Sequence, residues 1–185
     1  MMQKFHGLMI SSSRTLERNA SSEVFYLLTE ILGCTNVDVY PIKEISGLSI
    51  AKFEENPIIT LKKIEEVVEE DNAVLQVTLK LVPIEYRIET SIEEIREAAI
   101  SLAPRIKSED TWKINLRRRH TQLKREEIIS AVASEIKEGK VKMENPDVYV
   151  IVEIVGKWTY MTVSKKAELP LAMYQKEREE DEFSF

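Results

Sequence analysis

One short basic segment contains the residues best suited to binding another molecule. Thr111 to Arg125 reads TWKINLRRRHTQLKR and contains six basic residues and no acidic residue, in a chain of 185 residues whose formal net charge is −6. Positive charge gathered at one place on an acidic chain indicates where a polyanion would bind. The expected chemistry is phosphate binding by Lys113, Arg117, Arg118, Arg119, Lys124 and Arg125.

Alternation predicts that this segment begins as a strand over Thr111–Arg119. One face of the strand carries Trp112, Ile114, Leu116 and Arg118, which favours packing of both tryptophan and leucine in a core. The other face carries Lys113, Asn115, Arg117 and Arg119. Neighbours on one face lie ~7 Å apart, close to the spacing of successive phosphates, and arginine can bind phosphate bidentately. We expect Arg117 and Arg119 to contact phosphate and Arg118 to turn inward to pair or cap.

A helix predicted over Lys124–Glu138, with Gly139 as its C-cap, also begins with cations. Lys124 and Arg125 stand in its first turn, where the helix dipole disfavours positive charge by a few tenths of a kcal/mol each. Helix N-termini with added cations bind phosphate well. The alternative is that the basic side chains pair with Glu126, Glu127 or the acidic remainder of the chain.

Four further residues have two possible roles each. His120 is either a loop residue or an RNA contact at the edge of the basic face. Asn145, in the sequence Asn-Pro-Asp, is expected to form a turn, and the alternative is that its side chain contacts a ligand. Trp112 is expected in the core, whereas Trp158, beside a Gly turn, could pack or stack on a base.

No catalytic constellation stands out elsewhere. The five glycines are too scattered for a phosphate-binding loop, and Cys34 has no histidine at motif spacing. One cysteine and two histidines argue against a disulfide and against a conventional zinc site. The sequence shows no signal peptide and no apolar run long enough to span a membrane. We expect a cytoplasmic, non-catalytic protein without a cofactor or metal.

The order of elements predicts an α+β protein of two joined modules. Up to Val82 the patterns predict β-α-β-β-α-β, with Asn56 and Pro57 starting the second helix and a strand over Ala73–Val82, which is the ferredoxin-like order. Pro83 to Thr90 is the predicted joint. Ser91 then caps a helix that stops before Pro104, and strands over Val148–Val155 and Trp158–Ser164 form a hairpin. The predicted ranges are 1–83 for the first module, 84–166 for the second, and 167–185 for an acidic, frayed tail.

Three motifs within the second module resemble a known family. KINLRRRH at 113–120, REEIISAVASEI at 125–136 and the NPD turn followed by the apolar hairpin resemble the THUMP domain, and in particular stand-alone THUMP proteins. The resemblance is looser from Pro57 to Asp110, so the THUMP region could begin near residue 57. Stand-alone THUMP proteins commonly carry a ferredoxin-like module before the THUMP core.

The resemblance implies a function in tRNA modification. Such proteins bind the tRNA acceptor region and its 3′ end, and act as adaptors for a separate cytidine N4-acetyltransferase. The residues after Ser164 are too few for a fused enzyme domain, which favours the adaptor role. The expected partners are tRNA and that enzyme, with no DNA and no membrane. A protein-interaction module that docks an acidic partner on the basic strand is the alternative, and a small-molecule enzyme is a distant third.

Overall fold

The computed structural model describes residues 1–176 and shows a mixed α/β fold. The strands are β1 Gln3–Ser12, β2 Asp38–Pro41, β3 Leu48–Lys52, β4 Thr78–Glu89, β5 Thr111–Arg119, β6 Lys140–Val141, β7 Val148–Val155, β8 Trp158–Ser164 and β9 Leu169–Pro170. The helices are α1 Glu17–Tyr26, continued by a π-helix at Leu27–Ile31, α2 Pro57–Glu70, α3 Ile92–Leu102 and α4 Arg125–Ala133. Among the described residues, no helix combines the length and apolar character needed to cross a membrane.

The chain divides into two compact units. We call the first the C-terminal unit, which consists of Met1–Phe5 and Ile84–Ala167. The second is the N-terminal unit, whose described residues are His6–Pro83 and 168–176. The chain therefore passes from one unit to the other within β1 and within β4.

The N-terminal unit contains helices α1 and α2 and a sheet of order β2-β3-β1-β4. Strands β1, β3 and β2 pair antiparallel, and β9 pairs antiparallel with β4. Helix α2 begins as predicted, because the side-chain oxygen of Asn56 accepts hydrogen bonds from the amides of Ile58 and Ile59. The apolar faces of these elements form a core that includes Leu8, Ile10, Val24, Leu28, Ala51, Leu61, Ile64 and Leu81.

The C-terminal unit contains a mixed sheet of order β4-β8-β7-β5-β6. Strand β5 pairs parallel with β7 and β6, whereas β7 with β8 and β8 with β4 pair antiparallel. Helix α4 is the crossover that joins the parallel strands β5 and β7. One core holds α3, α4 and one face of the sheet together; it includes Ile95, Leu102, Trp112, Leu116, Ile128, Val132, Val150, Val152, Ile154 and Met161.

Three predicted strands have the predicted bounds. The structure confirms Thr111–Arg119 as β5, and Val148–Val155 and Trp158–Ser164 as the hairpin β7–β8. Val155 faces Trp158 across the two-residue turn, and Gly156 has a φ of 58°. A positive φ at the first turn residue is the conformation that glycine adopts without steric cost.

The predicted joint at Pro83–Thr90 includes the point between Pro83 and Ile84 where the chain passes from one unit to the other, and most of its residues belong to β4. The strand starts later than the predicted Ala73 and continues to Glu89. The later start has a tertiary cause. The carboxylate of Glu23, on α1, accepts hydrogen bonds from the amides of Gln76, Val77 and Thr78, so these amides are not available for pairing with a neighbouring strand. Pro83 is compatible with its position inside β4 because the residues of β4 that pair with β9 come before it and those that pair with β8 come after it.

The predicted end of the last long helix is wrong. Helix α4 stops at Ala133, and the amides of Glu135 and Ile136 form tighter turn bonds to Val132 and Ala133. Gly139 is not its C-cap. With a φ of 73°, Gly139 passes so close to β5 that a Cβ would lie 2.6 Å from the carbonyl oxygen of Asp110. This close approach leads into β6, a short edge strand that the sequence pattern does not predict.

The predicted tail begins with ordered, packed residues. Leu169 and Leu171 are buried in the core of the N-terminal unit, and β9 pairs Leu169 with Leu81. Residues 172–176 are helical. The acidic run at 177–182, to which the prediction of fraying applied most directly, lies outside the described residues.

Candidate nucleic-acid interface

Strand β5 separates an apolar face from a cationic face, as the alternation predicts. Trp112 and Leu116 are 5% and 6% exposed and belong to the core. The indole N–H of Trp112 donates to the carbonyl oxygen of Glu138 at 3.1 Å, which satisfies its polar atom. Trp112 is therefore a core residue, and the polar side chains of β5 lie on the opposite face of the sheet.

Strand register extends this polar face across the C-terminal unit in two rows. Residues directly opposite each other in paired strands share a face of the sheet. The first row runs across β5, β7, β8 and β4 through Arg117, Glu153, Tyr160 and Arg87. The second row runs in the same strand order through Arg119, Val155, Trp158 and Glu89. The sheet thus has arginines at both ends of the first row.

Arg119 has a carboxylate partner inside the fold. Its Nη1 atom donates to Oε2 of Glu153 at 2.6 Å, and Glu153 is only 1% exposed. A buried carboxylate is costly unless it is paired and hydrogen-bonded, so this interaction serves the packing of the sheet. Arg119 was predicted to contact phosphate, and the structure adds a structural partner that the sequence does not reveal.

Four other basic residues that were predicted to bind phosphate differ from Arg119, because no ion pair to a carboxylate is found for them among the described residues. Arg117, Lys124 and Arg125 are exposed and Lys113 is half-buried. Within residues 1–176, no carboxylate oxygen lies within 4.0 Å of the charged nitrogens of these four side chains. Asn115 is half-buried on the same face. The described part of the chain therefore leaves positive charge available on β5 and at the start of α4.

Arg118 and Arg125 help to join β5 to α4. Arg118 Nη1 donates to the carbonyl oxygen of Leu123 at 2.5 Å, but the side chain is exposed and is not turned inward as predicted. Arg125 Nη1 makes a long contact of 3.4 Å to the carbonyl oxygen of Leu116. Both arginines remain exposed, so these contacts orient their charge without removing it from solvent.

The loop before α4 holds two more predicted site residues. His120 is exposed and has a φ of 53°, a left-handed conformation that turns the chain sharply after β5. Lys124 is the N-cap residue, and its amide donates to the carboxylate of Glu127 at 3.1 Å. Glu127 therefore caps the helix rather than forming an ion pair with the Lys124 ammonium group.

Asn145 lies at the opposite end of β5 from the arginines. It has a φ of 46°, and the neighbouring Asp147 accepts hydrogen bonds from the amide and hydroxyl of Thr111 at 2.8 Å and 2.7 Å. Thr111 and Arg119 are eight residues apart along a strand, which is about 26 Å. The structure therefore does not bring Asn145 together with Arg119 or His120, and turn chemistry accounts for its position.

The sequence pattern overlooks a second cationic group in this unit. The guanidinium carbon of Arg87 lies 4.3 Å from the centre of the Trp158 ring and 5.5 Å from that of Phe5. Lys157 Nζ lies 5.4 Å from the same tryptophan ring. The amide of Gly156 donates to the carbonyl oxygen of Arg119, so the hairpin turn adjoins the end of β5. Lys157 could have been noticed as one more cation, but the position of Arg87 follows only from strand pairing.

Comparison with protein families identifies a domain in this part of the chain. Residues 89–164 match the THUMP domain, so the chain contains a THUMP domain that includes β5, α4 and the β7–β8 hairpin. No curated protein matches the sequence.

Several solved structures share the fold. PH1313 from Pyrococcus horikoshii Ot3 has a TM-score of 0.63 at 16% identity, with coverage of 89% of this chain and 55% of that chain. TrmN from Thermus thermophilus has a TM-score of 0.58 at 17% identity, with coverage of 90% and 47%. A protein from Listeria monocytogenes described as a predicted N6-adenine-specific DNA methylase has a TM-score of 0.53 at 13% identity, with coverage of 87% and 40%. The chain thus spans about half the length of these proteins.

Proposed function

Because the chain contains a THUMP domain over residues 89–164, we propose that it binds tRNA through the cationic residues of β5 and of the start of α4 in that domain. The binding surface consists of the exposed and half-exposed polar residues of β5 and of the start of α4. Its principal members are Lys113, Asn115, Arg117, Arg118, His120, Lys124 and Arg125. A THUMP domain is an RNA-binding domain, which supports this role.

The observation that carries the proposal is the uncompensated charge of the THUMP domain. In an acidic chain, Lys113, Arg117, Lys124 and Arg125 have no carboxylate within 4.0 Å among the described residues. If these four side chains paired with carboxylates inside the protein, they would form a structural network of ion pairs instead of a binding surface. Exposed arginine and lysine without internal partners are suited to phosphate, whose recognition supplies most of the affinity in nucleic-acid binding.

The finer proposal is that the protein recognises the acceptor region and 3′ end of tRNA and presents the tRNA to a separate enzyme. By resemblance to stand-alone THUMP proteins, that enzyme is the cytidine N4-acetyltransferase, and this chain is a cytoplasmic, non-catalytic adaptor without its own cofactor. Residues 1–83 would form the ferredoxin-like module that accompanies such domains, which the strand order β2-β3-β1-β4 supports.

Binding of intact tRNA, compared with the same tRNA lacking its single-stranded 3′ end, tests the proposal. Fluorescence titrations across a salt series should show tight binding of intact tRNA and loss of most affinity on truncation. A duplex DNA of equal length should compete weakly. If intact tRNA does not bind even at low salt, the proposed function is wrong.

A protein-docking surface for an acidic partner remains the second candidate function, and the same exposed cations favour it. Competition separates the two, because a polyglutamate peptide should displace an acidic protein partner but should displace structured tRNA only weakly. Retention of the acetyltransferase by the immobilised chain after ribonuclease treatment, without any tRNA binding, would favour protein docking.

A further inference from the structure

We propose that Arg87, held in place by the aromatic rings of Phe5 and Trp158, is a second phosphate-binding residue across the sheet from Arg117. This inference rests on the proposed function and extends the RNA-binding surface from β5 and α4 to β4 and the β7–β8 turn. Lys157, in that turn, contributes a further positive charge beside the same phosphate.

The position of Arg87 is fixed by three contacts within the C-terminal unit. Its guanidinium lies over Trp158 at 4.3 Å and over Phe5 at 5.5 Å, and its Nη2 atom donates to the side-chain oxygen of Gln3 at 2.8 Å. Phe5 is in turn packed against Tyr160 in an edge-to-face pair with ring centres 5.1 Å apart. A cation held in this way loses little side-chain entropy when it binds an anion.

Among residues 1–176, no carboxylate pairs with Arg87, in contrast to Arg119 and Arg105. Arg119 pairs with buried Glu153 at 2.6 Å, and Arg105 pairs with buried Glu85 at 2.5 Å. Arg87 is half-buried, yet in the described part of the chain no carboxylate oxygen lies within 4.0 Å of it, and its Nε atom has no hydrogen-bond partner. A partly desolvated cation without an internal acid is a ready site for an external anion.

Arg87 and Arg117 lie in the same row of the sheet. Arg117 pairs with Glu153, Glu153 with Tyr160, and Tyr160 with Arg87, so the two arginines are three strand spacings apart, which is about 14 Å. The middle of the row is buried, because Glu153 and Tyr160 are both nearly inaccessible to solvent. Because the two arginines are about 14 Å apart, a polyanion with several phosphates could contact both of them, whereas a single phosphate ion could not.

Salt-dependent tRNA binding by the full chain tests this assignment. Arg87→Ala should weaken tRNA binding about three- to tenfold and reduce the slope of log affinity against log salt by about one unit. Arg96→Ala removes the same charge from the surface of α3 and is the matched control, for which the slope should not change. If Arg87→Ala behaves like Arg96→Ala while the unaltered chain still binds tRNA, this inference is wrong and the proposed function stands.

A double-mutant cycle tests whether the tryptophan positions Arg87. Trp158→Leu leaves the net charge unchanged and should still reduce the salt slope. The double variant Arg87→Ala with Trp158→Leu should reduce the slope no further than Arg87→Ala alone does. Trp158 could instead stack on a base, in which case Trp158→Leu would lower affinity at every salt concentration without changing the slope, and the positioning role would be wrong. Arg87→Lys, which keeps the charge but not the flat stacked group, provides a variant that is less disruptive to folding. Absence of tRNA binding by the unaltered chain would overturn both proposals.

Discussion

Arg119 and Glu153 form an ion pair of 2.6 Å in which the glutamate is almost wholly buried. The arginine comes from β5 and the glutamate from β7, two strands that run parallel. The pair places a structural residue within the basic run of Arg117, Arg118 and Arg119. Three consecutive arginines therefore have different environments, and substitution should separate their effects on stability from their effects on binding.

Arg119→Ala should destabilise the protein, because it removes the cation that neutralises a buried carboxylate. The expected loss is about 3 kcal/mol in the free energy of unfolding. Urea denaturation followed by circular dichroism would measure it. Replacing both partners, as Arg119→Leu with Glu153→Leu, should recover part of the loss. Equal stability of Arg119→Ala and the unaltered chain would show that the pair contributes nothing to folding.

Arg117→Ala should leave stability almost unchanged and should weaken tRNA binding about tenfold, with a salt slope reduced by about one unit. The reason is that Arg117 is exposed and has no carboxylate within 4.0 Å among residues 1–176. Fluorescence titration at several salt concentrations measures both quantities. The control is again Arg96→Ala. An unchanged slope for Arg117→Ala would remove Arg117 from the phosphate contacts.

Asp147→Asn should lower stability at neutral pH and have little effect in acid. The hydroxyl and amide of Thr111 donate to the Asp147 carboxylate and lower its pKa in the folded protein. A lowered pKa stabilises the fold above the unfolded-state value of about 4, and this contribution is lost as the pH falls through the folded-state pKa. Denaturation of both proteins at pH 7 and in a series below pH 4 would show the difference shrinking. A difference that is independent of pH would contradict this account.

Cys34 should react slowly with iodoacetamide in the folded protein. Burial, together with the negative charge of Glu55, raises the pKa of the Cys34 thiol to about 11. At pH 8 only about one molecule in a thousand would carry the thiolate, which is the reactive form. The alkylation rate, followed by mass spectrometry, should rise about tenfold per pH unit up to pH 10.

Two controls accompany the Cys34 measurement. Glu55→Gln should increase the rate, since it removes the negative charge beside the thiol. Unfolding in urea should restore the reactivity of an ordinary cysteine, whose pKa is about 8.5. If the folded chain reacted at that ordinary rate at pH 8, the thiol would not be shielded as described.

The sequence alone determines the elements whose local patterns agree with their packing. Alternation sets the bounds of β5 and assigns Trp112 to the core, and Gly156 marks the turn of the β7–β8 hairpin. The absence of acidic residues between Thr111 and Arg125 locates the basic segment. These features are carried by neighbouring residues, so periodicity and composition are enough to predict them.

The tertiary structure alone decides how the charged residues are used. The partners of Arg119 and Arg87 lie on β7, β8 and β1, far away in the chain, and only the pairing of the strands brings Glu153, Trp158 and Phe5 to them. The same applies to β4, whose length depends on pairing with β8 and on the capture of three amides by Glu23. Strand register is set by contacts between distant segments, and a pattern within one segment does not contain it.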